Sequence, residues 1–414
     1  MRGNTIKYLI ALLLTVLSFS VSAEKTKFSL VTHYQTEKEV YTAWGHSALR
    51  IKNDSLECDW IYNYGLFSFG DITKFCYNFV LGRTDYMVGS QPFIRSFNEA
   101  SRYKKVSVRE AVLNLTDVEV NRLDMALQEN ELPENRVYRY SFFLDNCATR
   151  PRQMLERCID GTIDYHFTDD TLAVQSYRQN ISARQSHSPW YNFGIQICLG
   201  EPIDRNMTDS LRMFEPVHMH EVFARAEIVD TLANRRPLVL EDHFLHESDV
   251  KCQNEWSFFT PNIVFWVMFL LIVAHTAFYN YRKANDYIWF DSLFYSLYGI
   301  MGILVFFLSF ISEHAFVFPN YNILFFSPLY LMWPLMCLIK KLKPALKYAY
   351  LFSFVTAAIA LLMAIVSDIW ILADNDYFTK HTCLQSFHPA FYPIILSMML
   401  RSGSWLWRYG NHNS

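Results

Sequence analysis

Two short segments carry residues able to perform covalent chemistry. In Trp44-Gly45-His46-Ser47-Ala48-Leu49-Arg50 a histidine stands at a turn that opens a strand-like run. In Leu144-Asp145-Asn146-Cys147-Ala148-Thr149-Arg150 a cysteine stands where a strand-like run gives way to a helical pattern. A thiol at a helix N-terminus meets unpaired N–H groups and the positive end of the helix dipole, and both favour the thiolate. An imidazole beside it can take the thiol proton and return it to a leaving group. The bland alternative has weight: an isolated cysteine is usually a small buried hydrophobe or half of a disulfide, and most of the 13 histidines have no catalytic part. The pair Cys147/His46 is the candidate nucleophile and base for acyl transfer. Of the flanking residues, Asn146 can cap the helix or help hold an oxyanion, and Arg150 can meet a phosphate or stay solvated; capping and solvation are the expected roles.

These residues need a scaffold, and the 414-residue chain divides into two parts that face different solvents. Most charges lie before Trp256 and most long apolar runs after it. A net charge of −3 provides no basic surface for a phosphate backbone, which argues against a nucleic-acid partner. Residues 1–23 read as a secretory signal, with a basic start, the apolar run Tyr8 to Phe19 and Val21-Ser22-Ala23 before Glu24. Residues 24–255 then form an exported, periplasmic domain. Six of the eight cysteines, at 58, 76, 147, 158, 198 and 252, fall in it. An oxidising compartment permits disulfides there; with Cys147 kept free, either one more thiol is free or Cys383 joins in.

Within the exported part, Lys27 to His33, Ser47 to Ile51, Asp59 to Tyr64, Lys104 to Val108 and Val137 to Phe143 are strand-like in their β-branched and aromatic content. Thr116 followed by Asp117-Val118-Glu119 predicts a capped helix through Leu127. A second helix is expected over Ala148 to Cys158, with Pro151 in its first turn where a missing N–H costs little. The stretch 168–230 reads as mostly helical, broken at Pro189, Gly200-Glu201-Pro202 and Pro216. This is an α+β pattern. His218-x-His220 and His243-x-x-His246 lack a companion ligand set of recognisable metal spacing, so no metal or other cofactor is expected.

Residues 256–414 hold five apolar segments, 259–280, 288–311, 322–339, 346–372 and 388–406, which predict an all-α bundle of five transmembrane helices. Arg282 and Lys283, the Lys340 to Lys347 cluster and Arg408 all fall on one side, the cytoplasmic one, leaving the exported domain on the other. On that outer side gather Glu313, His314, Asn320, Asn322, Gln385 and His388. Headgroup-level hydration and loop capping are their expected roles, with lipid or lipoprotein docking as the alternative. His275, within the first span, is expected to face the bundle interior.

The order of a strand-opening histidine and, about a hundred residues later, Asn-Cys at a strand-to-helix junction resembles the circularly permuted branch of the NlpC-type, papain-like superfamily. Lecithin retinol acyltransferase and its phospholipid-acyltransferase relatives belong to that branch. More closely, Gly45-His46-Ser47-Ala48-Leu49-Arg50, Tyr62-Asn63-Tyr64-Gly65, Asn146-Cys147-Ala148-Thr149-Arg150 and the five-segment tail look like the Lnb-type lipoprotein N-acyltransferases of Bacteroides-like bacteria. The resemblance implies a multi-pass protein of the bacterial inner membrane with its catalytic domain on the periplasmic side. It implies transfer of an acyl chain from a membrane phospholipid, through a Cys147 thioester, to the α-amine of a diacylated lipoprotein. It also implies a polar residue on the strand after the histidine strand, orienting the imidazole as the third group of a triad. Alternation over 59–64 puts Asp59, Ile61 and Asn63 on one face; Asn63 is the expected residue and Asp59 the fallback. The alternatives are a membrane-anchored cysteine peptidase or amidase of the same superfamily, and a non-catalytic binding domain on a membrane scaffold. The donor phospholipid and its acyl position, the mode of lipoprotein recognition and the oligomeric state are not encoded in any recognisable pattern.

Overall fold

The computed structural model describes residues 25–35, 43–67, 70–167, 175–249, 258–282, 288–372 and 384–412. The expected signal segment 1–23 and the expected domain boundary at 255/256 lie outside these residues.

The first part of the chain is built on a seven-stranded antiparallel sheet. Its strands are β1 (Lys27–His33), β2 (His46–Asn53), β3 (Cys58–Leu66), β4 (Asp85–Pro92), β5 (Val108–Leu113), β6 (Val137–Arg139) and β7 (Val239–His246), in the spatial order β7-β5-β1-β2-β3-β4-β6. The central strands are covered on both faces, so alternation divides them between two apolar clusters. Phe28, Leu30, Leu49, Ile51, Tyr62 and Tyr64 pack on one side. Val31, Ala48 and Ile61 pack on the other, against Phe93 and Val108. On the first side lie α2 (Asp117–Glu131) and α3 (Thr149–Cys158), which contribute Leu123, Leu127, Met154 and Leu155 to the core. Helix α1 (Ile72–Leu81) links β3 to β4, with Asp71 capping its start and Gly82 closing it at φ +72°.

Three local expectations change. Lys104 to Val108 is not a strand: a helical turn occupies Glu99–Lys104, Lys105 ends it in the left-handed region at φ +55°, and β5 begins only at Val108. Of Val137 to Phe143 only Val137–Arg139 pairs. After it Ser141 and Asp145 exchange backbone hydrogen bonds of 3.0 and 2.8 Å, folding the chain back, and Phe142 and Phe143 join an aromatic cluster with Trp44 and Phe214. Finally, all six described cysteines, at 58, 76, 147, 158, 198 and 337, are unbridged.

The second part holds α6 (Pro261–Arg282), α7 (Ile288–Phe310), α8 (Leu346–Leu372) and α9 (Phe391–His412), preceded in the chain by α4 (Pro189–Cys198) and α5 (Pro216–Arg225) of the first part. Four described segments are long and apolar enough to cross a membrane: Pro261–Arg282, Trp289–Phe310, Tyr321–Leu338 and Lys340–Trp370. The expected count of five is therefore not met by length and apolarity alone. The third segment is not one regular helix. Asn320 and Ser327 each cap a short 3-10 turn, Tyr321–Leu324 and Pro328–Leu331, before the helix Met332–Leu338. This broken segment lies tight against α7, where Gly299 and Gly302 leave room: a Cβ on Gly302 would stand 2.4 Å from the Ser327 carbonyl carbon. The fifth segment, α9, is helical but carries Arg401 and Arg408. Arg401 is buried and neutralised in the bundle, its Nε donating to Asp291 Oδ1 at 2.7 Å and its NH1 to Thr276 Oγ1 at 2.8 Å, while the Tyr350 hydroxyl donates to Asp291 Oδ2 at 2.8 Å. These bonds tie α6, α7, α8 and α9 together through one buried ion pair, the arrangement a charge needs away from water.

The polar residues expected to be hydrated at the outer face instead join the two parts. Asn322 Nδ2 donates to the Gln196 carbonyl at 2.9 Å and Asn320 Nδ2 to the Ile197 carbonyl at 3.0 Å, satisfying acceptors at the C-terminal end of α4. Gln385 in turn donates to Asn322 Oδ1 at 3.0 Å and accepts from the Tyr321 N–H at 2.8 Å. The Gly200 and Glu201 N–H groups donate to the carbonyls of Phe316 and Pro319. Glu313 pairs with Arg83 at 2.6 Å and Arg139 at 3.2 Å. The first part of the chain is thereby fastened to the membrane part.

Candidate active site

His46 is the first residue of β2 and lies opposite His33, the last residue of β1. The turn before it needs Gly45: φ is +77°, and a Cβ there would stand 2.5 Å from the His33 carbonyl oxygen. Asn63 is near the end of β3, in register with Ala48 two residues past His46 and therefore on the same face of the sheet. Its Oδ1 meets His46 Nε2 at 3.0 Å. This bond leaves Nδ1 for the remaining neighbour, Cys147, which hydrogen-bonds the ring.

Cys147 is held at the entrance of α3 by the residue before it. Asn146 Oδ1 accepts from the N–H groups of Ala148 at 2.8 Å and Thr149 at 3.0 Å, and its Nδ2 donates to the carbonyls of Phe142 and Phe214, both at 2.9 Å. Thr149 Oγ1 accepts from the Asn146 N–H at 2.7 Å. Asn146 is thus a helix cap with both amide hydrogens already committed, which leaves none for an oxyanion. Gly65, at φ +91° where β3 and β4 shift register, passes beneath the cysteine.

The electrostatics shift the pair toward a thiolate facing an imidazolium. Burial alone pushes the Cys147 thiol up, but His46, by charge and by hydrogen bond, together with the N–H groups of Ser47 and Cys147 itself, brings it below its ordinary value. Burial likewise disfavours charge on His46, yet Cys147 and the Asn63 hydrogen bond hold the imidazole above its ordinary value. The two shifts belong to one coupled pair. The neighbouring His33 goes the other way, pushed down to about 3 by its burial and by His46, so it stands neutral beside the pair with ring centroids 5.8 Å apart. Tyr140 stacks on Tyr86 at 4.3 Å; its hydroxyl is held protonated by burial and by the Cys147 charge.

Two of the residues singled out in the sequence lie elsewhere or are otherwise engaged. Asp59 forms a two-bond fork with Arg50, at 2.7 and 2.8 Å, in a cluster with Glu110; four residues from Asn63 along β3, it lies roughly 13 Å from the histidine's partner. Arg150 is not simply solvated: Asp145 accepts two of its hydrogen bonds at 2.5 Å, and the guanidinium lies 4.1 Å over the Tyr138 ring. His33 and Tyr140 were missed. Alternation along Lys27 to His33 does place His33 on the face of Val31, a signal for the first; Tyr140 follows the end of β6 and had none. His218 and His220 are engaged within the protein, by Asp209 and by Thr32 and Asp242.

No curated protein and no solved structure matches the chain. Two family comparisons do. The Lnb N-terminal periplasmic domain matches residues 19–182, which contain His46, Asn63 and Cys147. The Lnb transmembrane domain matches residues 253–412, from before α6 to the end of α9. With these two matches lying in order on the two structural parts just described, the chain belongs to the Lnb family, as a membrane protein with a periplasmic N-terminal domain.

Proposed function

We propose that this protein is a lipoprotein N-acyltransferase of the bacterial inner membrane, with Cys147 as nucleophile, His46 as acid and base, and Asn63 as the residue that orients the imidazole. The observation that carries the reading is the Cys147–His46–Asn63 array, with Nε2 held by Asn63 Oδ1 at 3.0 Å, in a domain fastened to the outer ends of membrane-spanning segments. The Cys147 thiolate attacks the ester carbonyl of a phospholipid, forming the C–S bond. When the tetrahedral intermediate collapses, the C–O bond to the glycerol oxygen breaks, and His46 gives that oxygen its proton; a lysophospholipid leaves and a thioester remains. The α-amine of a diacylated lipoprotein then attacks the thioester, His46 takes a proton from the amine, the amide forms and the thiolate departs. The N–H groups of Ser47 and of Cys147, just ahead of α3, both meet the thiol and suit the developing oxyanion. Both substrates are anchored in the bilayer, so holding the site at its surface supplies part of the rate by proximity.

Purified protein incubated with acyl-labelled phospholipid and a diacylated lipopeptide tests this. Label should pass to the peptide amine, and Cys147→Ala or His46→Ala should stop the transfer. Cleavage of peptides without any acyl transfer would replace this reading with a peptidase or amidase.

A further inference from the structure

Helix α1 is built against the usual rule for a water-facing helix. Of its ten residues only Leu81 is buried. Ile72, Phe75, Cys76 and Phe79 recur at the i, i+3, i+4, i+7 spacing of one face, with Asp71, Lys74 and Asn78 on another. Ile72 is 65% exposed and Phe79 50%, an apolar surface with no core beneath it.

Its C-terminal end is fixed to the membrane part. The Ser312 hydroxyl donates to the Val80 carbonyl at 2.8 Å, the Glu313 N–H to the Leu81 carbonyl at 2.8 Å and His314 Nε2 to the Phe79 carbonyl at 2.6 Å. Those three residues follow α7, which ends at Phe310, so the C-terminal end of α1 meets the place where a membrane span stops. From that point a series of aromatic rings runs back to the nucleophile. His314 meets Phe79 at 5.8 Å, Phe79 meets Phe75 at 6.3 Å, Phe75 stacks on Phe67 at 5.6 Å, Phe67 meets Tyr86 at 5.1 Å and Tyr86 stacks on Tyr140 at 4.3 Å. Tyr140 and Cys147 then flank the same point at Gly65: a Cβ built there would lie 4.0 Å from Tyr140 Cε2 and 3.9 Å from Cys147 Cβ.

We propose that α1 and Phe67 form an interfacial lipid-binding element: α1 lies in the outer surface of the bilayer with its apolar face among phospholipid acyl chains, and the ring series guides one such chain to Cys147. The occupant is a phospholipid because the exposed face continues from the end of a membrane span, at the level where an amphipathic helix gains most by lying in the interface. The guiding step rests on the acyl-transfer reading; the placement of α1 does not.

The test uses the full-length protein in membranes, with the photoreactive amino acid p-benzoylphenylalanine introduced at Ile72 or Phe79. Leu271, exposed on the span α6, is the lipid-facing control, and Leu232, exposed on the turn between the short strands Glu227–Val229 and Arg235–Pro237, the water-facing one. Irradiation and mass spectrometry should find phospholipid adducts at Ile72 and Phe79 as at Leu271 and none at Leu232, equally in a Cys147→Ala background. Phe75→Ser should slow acylation of Cys147 by membrane phospholipid about tenfold, the effect of losing one aromatic contact with an acyl chain. Adducts to protein only, or none, at Ile72 and Phe79 would overturn the placement even if Cys147 is acylated normally. Lipid adducts at both positions in a protein whose Cys147 never acquires an acyl group would uphold the placement and remove the guiding role together with the acyl-transfer reading.

Discussion

Cys147 owes its character to three neighbours at once: the imidazole of His46, the N–H groups of Ser47 and Cys147, and the cap made by Asn146. Because Cys147 is lowered and His46 raised, thiolate forms below the ordinary thiol value of 9.0 and imidazolium persists above the ordinary imidazole value of 6.5, which shifts the pair toward its charged form. Thioester formation should therefore rise on the acid side as the thiolate forms and fall on the alkaline side as His46 loses its proton. Asn63→Ala removes a bond that favours the imidazolium, so its alkaline limb should move to lower pH with slower acylation. A pH–rate profile unchanged by that substitution would show that Asn63 does not position His46. Asp59, engaged with Arg50, predicts no such shift for Asp59→Asn.

Each element that positions the pair owes its place to a small number of local interactions, and how many of these are visible in sequence differs from one to the next. β1, matching Lys27 to His33, and the helix after Thr116 are legible because alternation and a capping box are local; Thr116 and Glu119 do bond reciprocally. The entry to α3 is legible for the same reason. The end of β6 is not, since Phe142 and Phe143 look like strand residues but are drawn into a cluster with Phe214 and Phe316, far away in sequence. Nor is the exposure of α1, whose apolar residues carry the spacing of a core-facing helix yet pack on no core. Of the pair's surroundings, Asn63 followed from alternation joined to a family resemblance, whereas Tyr140 depends on long-range packing that no spacing records. The cap on α3 makes a quantitative forecast: Asn146→Ala leaves two N–H groups and the carbonyls of Phe142 and Phe214 without their partner, costing about 2–4 kcal/mol in thermal or denaturant unfolding. A loss well under 1 kcal/mol would mean that water replaces the amide at that helix end.

In the whole molecule, the periplasmic domain is docked onto the membrane domain by buried asparagines more than by surface ion pairs. The Glu313 pairs with Arg83 and Arg139 are about half exposed, and such pairs contribute about 0–1 kcal/mol each. Asn322 is fully buried and serves two carbonyls of α4 and the Gln385 amide. Asn322→Leu should thus loosen the docking far more than Glu313→Ala, read as faster proteolysis of the chain around Phe316 and slower acylation in membranes. Equal protease resistance in the two variants would place the hold elsewhere, in Gly200 and its approach to Pro319. The bundle itself depends on the Arg401–Asp291 pair, which lets a charged α9 pack among more apolar segments.

The most direct test of the central claim is the mass of the Cys147 peptide from protein extracted from its own membranes without thiol reductant. The account predicts a fatty acyl adduct on Cys147, released by hydroxylamine, absent in His46→Ala and lost on adding a diacylated lipopeptide. An unmodified Cys147 in membranes supplied with phospholipid and deprived of acceptor would contradict it.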